Sequence, residues 1–250
     1  MNVVTWNVNG IRARETQFLE WIQRDQPDVV CLQELKATTD QLSENLICLP
    51  GYAGYWHGGP KGYSGVSVHC RIESFSGTPE FSIPVLDVEH RAVEVRLPNH
   101  LVVTSLYVPN GGKDYAAKLR FLEAMRVYVE REHARDTRLL LCGDMNVTRG
   151  DIDVYPGQRK QDAIGQRPDE RALFERVLEG QLVDIARTLE PDNDRLFTWW
   201  PPWRGLRQKN HGWRLDYILA SYGRGLDPTQ CRVLTDVGTS DHAPVMVAFT

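Results

Sequence analysis

The stretch Leu139-Leu140-Leu141-Cys142-Gly143-Asp144-Met145-Asn146 decides the fold prediction. Its first half is too apolar for a surface loop and is typical of a buried strand. The polar tetrad at 143–146 follows at once, so its side chains can face a crevice outside the strand end without being buried in the core. Ser240-Asp241-His242 stands in a matching position, because the apolar run 244–249 comes next. Two such segments predict a built polar site rather than ordinary loops.

Polar residues follow other predicted strands in the same way. The apolar run at 3–6 leads into Asn7-Val8-Asn9-Gly10, and the run at 28–32 leads into Gln33-Glu34. Asn, Asp and Gly form turns wherever strands end, and this explains Asn9-Gly10 well. It does not explain Glu34, which is a poor turn residue.

An acid inside an apolar stretch needs a separate explanation. Asp216 lies within Trp213–Leu219, which is otherwise typical of a strand. An unpaired carboxylate in that setting is costly. His242 is the histidine in a comparable setting, so we expect it to be the partner of Asp216.

Length and composition limit the classes of protein to which this chain can belong. A chain of 250 residues with 42% hydrophobic residues and seven tryptophans can bury one large core, and we expect a single domain over 1–250. No linker, repeat or membrane span is present in the sequence pattern. The first predicted strand begins at residue 2, so we expect no signal or transit peptide. Five cysteines without a C-x-x-C pair favour a reduced, cytoplasmic setting.

The distribution of charge says more than its sum of −4. Between 203 and 214 the chain carries basic residues and no acid, and other basic residues follow predicted strand ends. An acidic body with a basic rim is one interpretation, and a solvated charged surface is the default for any single residue. The basic residues of this predicted rim are Arg204, Arg207, Lys209 and Arg214, with Arg12, Arg14, Lys61 and Lys113.

Periodicity predicts few helices and many short strands. Apolar residues recur at helical spacing over 119–129 and 173–178, and a third helix is expected near 18–22. This excess of strands excludes a simple alternating βαβ fold, and two packed sheets with helices outside would use both patterns. We therefore predict a layered α/β sandwich. The predicted strands are roughly 2–7, 28–33, 52–57, 63–70, 91–97, 101–108, 138–142, 195–200, 213–220 and 243–249.

The aromatic run Phe197-Thr198-Trp199-Trp200-Pro201-Pro202-Trp203 is unusual. Any one of these rings is as well explained by the core. Two prolines prevent the run from continuing as a central strand, so some indoles should project from a loop. Rings next to Arg and Lys suit stacking on bases or sugars beside phosphates.

These motifs together resemble the exonuclease III family of AP endonucleases, in the endonuclease/exonuclease/phosphatase superfamily that also contains DNase I. The resemblance covers essentially the whole chain, in the family's order. The segment 209–216 and the Tyr-Val-Pro-Asn motif at 107–110 are much more specific to the AP endonuclease branch than the Asp-His pair. The matching stretches are 6–13, 32–34, 62–66, 107–110, 143–146, 212–216 and 240–242.

The resemblance implies a four-layer α/β sandwich: two mixed β-sheets packed face to face, with helices on the outer faces and active-site loops at one edge. It implies Glu34 as the principal Mg²⁺ ligand, with Mn²⁺ able to substitute. Asp144 resembles the residue that activates the attacking water, and His242, oriented by Asp216, resembles a phosphate contact. The implied metal-site residues are Asn7, Glu34, Asp144, Asn146, Asp241 and His242, and the other implied catalytic residue is Tyr107.

The resemblance also implies DNA contacts. Trp199, Trp213 and Leu215 fall where the family builds its pocket for a base-less sugar. Position 9 is Asn where some members have a further metal-site Asp, so a second metal site there is less secure. The remaining implied DNA contacts are Arg12, Lys61, Tyr63, Asn110, Lys113 and Arg204.

We therefore expect a Mg²⁺-dependent AP endonuclease of base excision repair that cuts double-stranded DNA 5′ to an abasic site. Activity as a 3′–5′ exonuclease and a 3′-phosphodiesterase is implied as well. The expected protein is a monomer, cytoplasmic and nucleoid-associated, from a prokaryote. One alternative is a phosphatase of the same superfamily, which would keep the acids and the histidine but would not need the Trp-rich basic loops. A second alternative is a DNA-binding relative that has lost catalysis.

Overall fold

Twelve strands and five helices form the regular structure, and the computed structural model describes all residues 1–250. None of the helices combines the length and the apolar composition that a membrane span requires. The helices are α1 (Ile11–Asp25), α2 (Glu44–Ile47), α3 (Tyr115–His133), α4 (Pro168–Glu179) and α5 (Ile185–Leu189). The strands are β1 (Asn2–Asn7), β2 (Val29–Gln33), β3 (Tyr52–His57), β4 (Val66–Arg71), β5 (Glu80–Ser82), β6 (Ala92–Leu97), β7 (Leu101–Tyr107), β8 (Arg138–Asp144), β9 (Leu182–Asp184), β10 (Asp216–Ser221), β11 (Pro228–Val233) and β12 (Val245–Phe249).

The strands form two six-stranded sheets. The first has the order β11-β12-β1-β2-β4-β3, and the second has the order β5-β6-β7-β8-β10-β9. Each sheet contains one parallel pair near its centre, β1 with β2 and β7 with β8. The other pairings are antiparallel, so both sheets are mixed.

Strand β8 explains why a continuous apolar run is needed in a layered fold. Leu140 and Cys142 lie in the core between the two sheets. Leu139 and Leu141 point to the other face, where they pack with residues of α3 and α4. Because successive side chains of a strand point to opposite faces, a strand covered on both sides must be apolar at every position.

The first sheet is covered in the same way. Phe18, Trp21 and Ile22 of α1 pack against Val4 and Val30 on its outer face. The layers are therefore helix, sheet, sheet and helix, and the predicted four-layer α/β sandwich with two mixed sheets is confirmed.

Gly143 is required by the close approach of β7 to β8. A methyl group added at its Cα would lie 1.9 Å from the carbonyl oxygen of Leu106, a distance that real contacts do not reach. Asp144 follows directly and pairs in register with Tyr107 on one side and Asp216 on the other. The tetrad at 143–146 therefore begins with a residue that sets the spacing of the strands beneath the polar site.

The predicted strand at 195–200 is wrong. Residues there form only isolated bridges, from Trp199 to Trp213 and to His242, and Pro201 and Pro202 prevent a longer ladder. Three short or exposed strands escaped the prediction because they lack a long apolar run. They are β5, β9 and β11.

Arg214 is not on a basic rim, as the charge pattern suggested, but is buried to 1% exposure. Its guanidinium binds the carboxylates of Asp153 and Asp184 with two pairs of hydrogen bonds of 2.8–3.1 Å. It also lies over the Tyr217 ring, 4.3 Å from the centroid. Such bidentate pairing is what allows a buried guanidinium to be stable.

The same pairing sets the acid–base behaviour of the two aspartates. Burial alone would raise the pKa of Asp153 and of Asp184, but the charge and hydrogen bonds of Arg214 outweigh it and lower both. A carboxylate with a lowered pKa in the folded state stabilises the fold above its unfolded pKa, about 4 for Asp, and loses that contribution as the pH falls.

We expect Asp184→Asn to reduce the free energy of unfolding by about 3–5 kcal/mol at pH 7, because it leaves part of a buried guanidinium charge unpaired. The difference in unfolding free energy between variant and wild type should begin to shrink below about pH 4, because Asp184 of the unfolded wild-type chain takes up a proton there, and should vanish as the pH falls through the lowered folded pKa. Urea unfolding followed by circular dichroism at pH 7 and at acid pH measures both values.

Asp136→Asn is the matched control, because Asp136 pairs with Arg224 while its side chain is 91% exposed. Its loss should cost less than about 1 kcal/mol at any pH. Equal losses for the two variants, or a gap for Asp184→Asn that does not change with pH, would contradict this assignment.

Candidate active site

Polar side chains from both sheets meet at one edge of the sandwich. This edge collects the carboxyl ends of the parallel strands β1, β2, β7 and β8, together with the amino ends of their antiparallel neighbours β10 and β12. Residues placed just beyond such strand ends face a crevice. The predicted residues gathered there are Asn7, Glu34, Tyr107, Asp144, Asn146, Asp216, Asp241 and His242.

Glu34, Asp144 and His242 form the centre of the group. Each offers one ligand atom, and these atoms all lie within 4.8 Å of one another. The Asn7 amide nitrogen donates hydrogen bonds of 2.9 Å to both Glu34 Oε1 and Asp144 Oδ2. Asn7 therefore holds the two carboxylates together, and its oxygen already accepts a hydrogen bond from the Asn9 backbone.

Glu34 is held as an ionised carboxylate. Burial alone would raise its pKa, but hydrogen bonds from Asn7 and from Lys36 hold the pKa of Glu34 below its ordinary value. Lys36 Nζ lies 2.8 Å from Glu34 Oε2. The backbone at Glu34 has φ +52°, a conformation that is uncommon for residues other than glycine. This turn directs the carboxylate toward the edge of the sheets.

His242 and Asp216 form a buried pair. His242 Nδ1 donates to Asp216 Oδ2 over 2.8 Å, and Thr198 Oγ1 donates to the same oxygen over 2.6 Å. Burial alone would lower the pKa of His242, but the charges of Asp216 and Asp144 outweigh it and raise the pKa to about 10. The ring is therefore cationic at neutral pH, and its Nε2 lies 3.8 Å from Asp144 Oδ2.

Asp144 has the opposite balance. Burial, together with the nearby charges of Asp216 and Glu34, raises its pKa to about 7, although the His242 cation opposes this. Its Oδ1 accepts a 2.9 Å hydrogen bond from the backbone of Asn146. A carboxylate whose pKa lies near neutral pH can accept a proton in a reaction.

Further donors surround this carboxylate. The Asn146 amide donates to Val108 O over 2.9 Å, and its oxygen accepts from Asn110 over 3.3 Å. Burial and the charges of Glu34 and Asp144 raise the pKa of Tyr107 well above its usual value, so its hydroxyl keeps its proton. These groups form a set of fixed dipoles around the centre.

Asp241 lies beside the central group rather than in it. Its Oδ1 accepts from Asn9 over 2.7 Å, and its Oδ2 accepts from Trp199 Nε1 over 3.0 Å. Burial alone would raise the pKa of Asp241, but His242 and these hydrogen bonds lower it. Both oxygens of Asp241 thus accept hydrogen bonds from protein donors, and its place near the metal or its waters stays a prediction.

Two tryptophans form a wall next to the group. The rings of Trp199 and Trp213 meet edge to face, with centroids 5.5 Å apart. Trp213 Nε1 donates to Gln158 Oε1 over 2.6 Å, which fixes the indole. Leu215, the third residue of the expected pocket, is only 5% exposed, so little of its side chain is available to a ligand.

The expected DNA-contacting side chains Arg12, Lys61, Lys113 and Arg204 are all exposed. Tyr63 is 45% exposed, and the Lys113 ammonium lies 5.8 Å from its ring centroid. They are spread over several loops and α1, with no contact to the central carboxylates.

Arg207 does not fit the basic rim expected from the sequence. It is partly buried, and it donates to the carbonyl oxygens of Ser240 and Thr235, the latter over 2.7 Å. Arg207 therefore fastens the loop that carries Asp241 and His242 instead of facing solvent.

Sequence analysis missed three residues that act on the site. Lys36 pairs with Glu34, Gln158 holds Trp213, and Arg91 donates to the hydroxyl of Tyr63 over 2.7 Å. The position of Lys36 two residues after Glu34 was an available signal. The sequence held no comparable signal for Gln158 or Arg91, because their contacts depend on how distant loops meet.

The sequence profile of the Endonuclease/Exonuclease/phosphatase family matches residues 4–242. The DNA repair nuclease APEX1 of Danio rerio is 33% identical, over 98% of this chain and 81% of that protein. The exodeoxyribonuclease of Bacillus subtilis (strain 168) is 32% identical, over 98% of each chain.

Solved structures agree with these relatives. A 3′–5′ exonuclease from Neisseria meningitidis has a TM-score of 0.89 and 28% identity, covering 100% of this chain and 99% of that chain. An AP endonuclease from Archaeoglobus fulgidus has a TM-score of 0.88 and 26% identity, with the same coverage. The chain therefore belongs to the Endonuclease/Exonuclease/phosphatase family, and within it to the exonuclease III type.

Proposed function

We propose that the protein is a divalent-metal-dependent AP endonuclease that hydrolyses the DNA phosphodiester 5′ to an abasic site in base excision repair. The products are a 3′-hydroxyl and a 5′-deoxyribose phosphate. The observation that carries the proposal is the grouping of Glu34, Asp144 and the His242–Asp216 pair next to the wall of Trp199 and Trp213. All these groups come from one chain, so a monomer would suffice.

The donor set suits a hard cation. Glu34 and Asp144 bring two carboxylates close together, and Mg²⁺ prefers carboxylate oxygens while keeping several waters. Asp216 Oδ1 is buried without a hydrogen-bond partner, so the group keeps an acceptor oxygen that no protein donor satisfies. Glu34 is the main candidate ligand, and Mn²⁺ should substitute for Mg²⁺. When bound, the cation stabilises charge on the phosphate and on the departing 3′-oxygen.

The side chains of the protein would divide the remaining work. Asp144 accepts the proton of the attacking water, since its pKa of about 7 lets it do so at neutral pH. His242 donates a hydrogen bond from Nε2 to a phosphate oxygen, and Asp216 keeps its ring oriented and charged. Tyr107 and Asn110 supply further donors for the same anion. Asn146 holds Asp144 in place, because its amide donates to Val108 O and to Asp144 Oδ2.

The tryptophan wall accounts for lesion specificity. A flipped abasic sugar would fit against Trp199 and Trp213, while an intact base would clash. Exposed Arg204 and Lys209 lie in the loop that follows Trp203, whose ring is 59% exposed. An exposed aromatic ring beside basic groups can stack on a DNA base while the basic groups bind the phosphate backbone.

We also propose 3′–5′ exonuclease and 3′-phosphodiesterase activity. In both reactions the same groups act on a phosphate at a strand end. One similar protein supports this, because NExo of Neisseria is a 3′–5′ exonuclease in one solved structure and a 3′ phosphatase bound to product DNA hairpin in another.

Asp144→Asn should lower the cleavage rate of a duplex with one tetrahydrofuran lesion by about 10²–10⁴-fold in Mg²⁺, because the proton acceptor is lost. Binding of the same duplex, measured by fluorescence anisotropy, should be largely retained. Wild-type protein in EDTA is the control and should bind without cutting. A variant that cuts normally, or that loses binding and cleavage together, would remove Asp144 from this role.

Trp213→Ala should reduce the preference for abasic over undamaged duplex by about tenfold, because an intact base would no longer clash with this ring. The readout is the ratio of kcat/KM for the two substrates. Trp56→Ala is the control, since Trp56 packs on His69 on the outer face of the first sheet and is not part of the wall of Trp199 and Trp213. Unchanged preference in Trp213→Ala would place that ring outside the pocket.

The double variant Arg204→Ala/Lys209→Ala should flatten the salt dependence of DNA binding by up to about one unit of log–log slope per lost phosphate contact. Arg207→Ala should leave the slope nearly unchanged and lower the melting temperature, because Arg207 binds backbone carbonyls. The reverse result would show that Arg207 is the phosphate contact.

A further inference from the structure

A lysine and a glutamate lie fully buried between the helices that cover the second sheet. Lys118 belongs to α3 and Glu170 to α4, and neither side chain has any exposed surface. The ammonium and the carboxylate are in contact. A buried ion pair is a poor source of stability compared with well-packed apolar residues.

Lys118 reaches the loop that carries the proposed catalytic groups. Its Nζ donates a 2.7 Å hydrogen bond to the backbone oxygen of Asn146. The backbone of Asn146 has φ +51°, a left-handed conformation that residues other than glycine rarely adopt. The hydrogen bond from Lys118 to its carbonyl oxygen helps to hold this conformation. The amide of Asn146 in turn contacts Asp144 Oδ2 over 3.3 Å.

Glu170 reaches the tryptophan wall. Its Oε1 accepts hydrogen bonds from the backbone nitrogens of Gly165 and Arg167, over 2.5 and 3.0 Å. Gly165 packs so closely on Trp213 that an added methyl group would lie 3.0 Å from the ring. Thr148, two residues after Asn146, donates to the carbonyl of Gly165 from both its backbone and its hydroxyl over 2.8 Å.

We propose that Lys118 and Glu170 are a positioning pair that aligns Asn146 and Asp144 with the Trp213 wall. Lys118 holds the loop at 144–148 (the hydrolytic loop), and Glu170 holds the turn at 165–167 behind the Trp213 ring. The contact between Lys118 and Glu170 therefore fixes the distance between this loop and this turn. Neither residue touches the substrate. This inference rests on the proposed function, because that reaction supplies the readout.

The double variant Lys118→Met/Glu170→Leu removes both charges and keeps apolar volume, so it should fold. Its kcat on the tetrahydrofuran duplex should fall by about tenfold or more, since small displacements of reacting groups are costly in rate. The dissociation constant for DNA should change far less than kcat. A purely structural pair would leave kcat per folded molecule at the wild-type value.

Glu170→Gln is the milder variant and decides the question if the double variant does not fold. It keeps the shape and an acceptor for Gly165, and kcat should still fall by about threefold or more. The control is Arg96→Met/Glu132→Leu, which removes another ion pair with a buried glutamate, at the far end of α3. That control should change stability and leave kcat per folded molecule unchanged.

The outcomes separate this inference from the proposed function. Wild-type protein that does not cut the abasic duplex contradicts the proposed function itself. Wild-type cleavage with equal kcat in folded Lys118→Met/Glu170→Leu, or in Glu170→Gln, overturns the positioning role alone.

Discussion

Glu34 and Asp144 share the two hydrogens of one amide, that of Asn7. The two acids come from different sheets, and they would repel each other at this distance if both were charged. The Asn7 amide, the His242 cation and the raised pKa of Asp144 together make the arrangement tolerable in the folded protein. The grouped acids still favour the binding of further positive charge, and a divalent cation with its waters would supply it.

The architecture explains why these groups meet at all. Each sheet has one parallel pair, so the carboxyl ends of four strands open at the same edge. Antiparallel neighbours bring Asp216 and His242 to that edge from later parts of the chain. Helices α3 and α4 also support the site, because Lys118 of α3 lies beneath the hydrolytic loop and Glu170 of α4 lies beneath the wall of Trp199 and Trp213. Core packing and site geometry are therefore properties of the same elements.

Much of the fold and part of the site could be predicted, because the strands and helices follow simple periodicities of apolar residues. The run Leu139–Cys142 is apolar at every position as both faces of β8 are covered, and Asp216 within a strand required a partner such as His242. Prediction failed where burial depends on distant loops. Arg214 and Arg207 resemble a basic rim in sequence, yet one is buried between Asp153 and Asp184 and the other fastens the Asp241 loop. Periodicity cannot distinguish a buried, paired cation from a solvated one.

Anomalous scattering from crystals soaked in Mn²⁺ tests most directly whether the grouped carboxylates form a metal centre. We predict a strong peak at coordination distance, roughly 2.0–2.6 Å, from a carboxylate oxygen of Glu34. Asp241 should not hold a separate ion, because Asn9 and Trp199 already occupy its oxygens. A peak at Asp241 without one at Glu34, or no peak at this edge of the sandwich, would contradict the account.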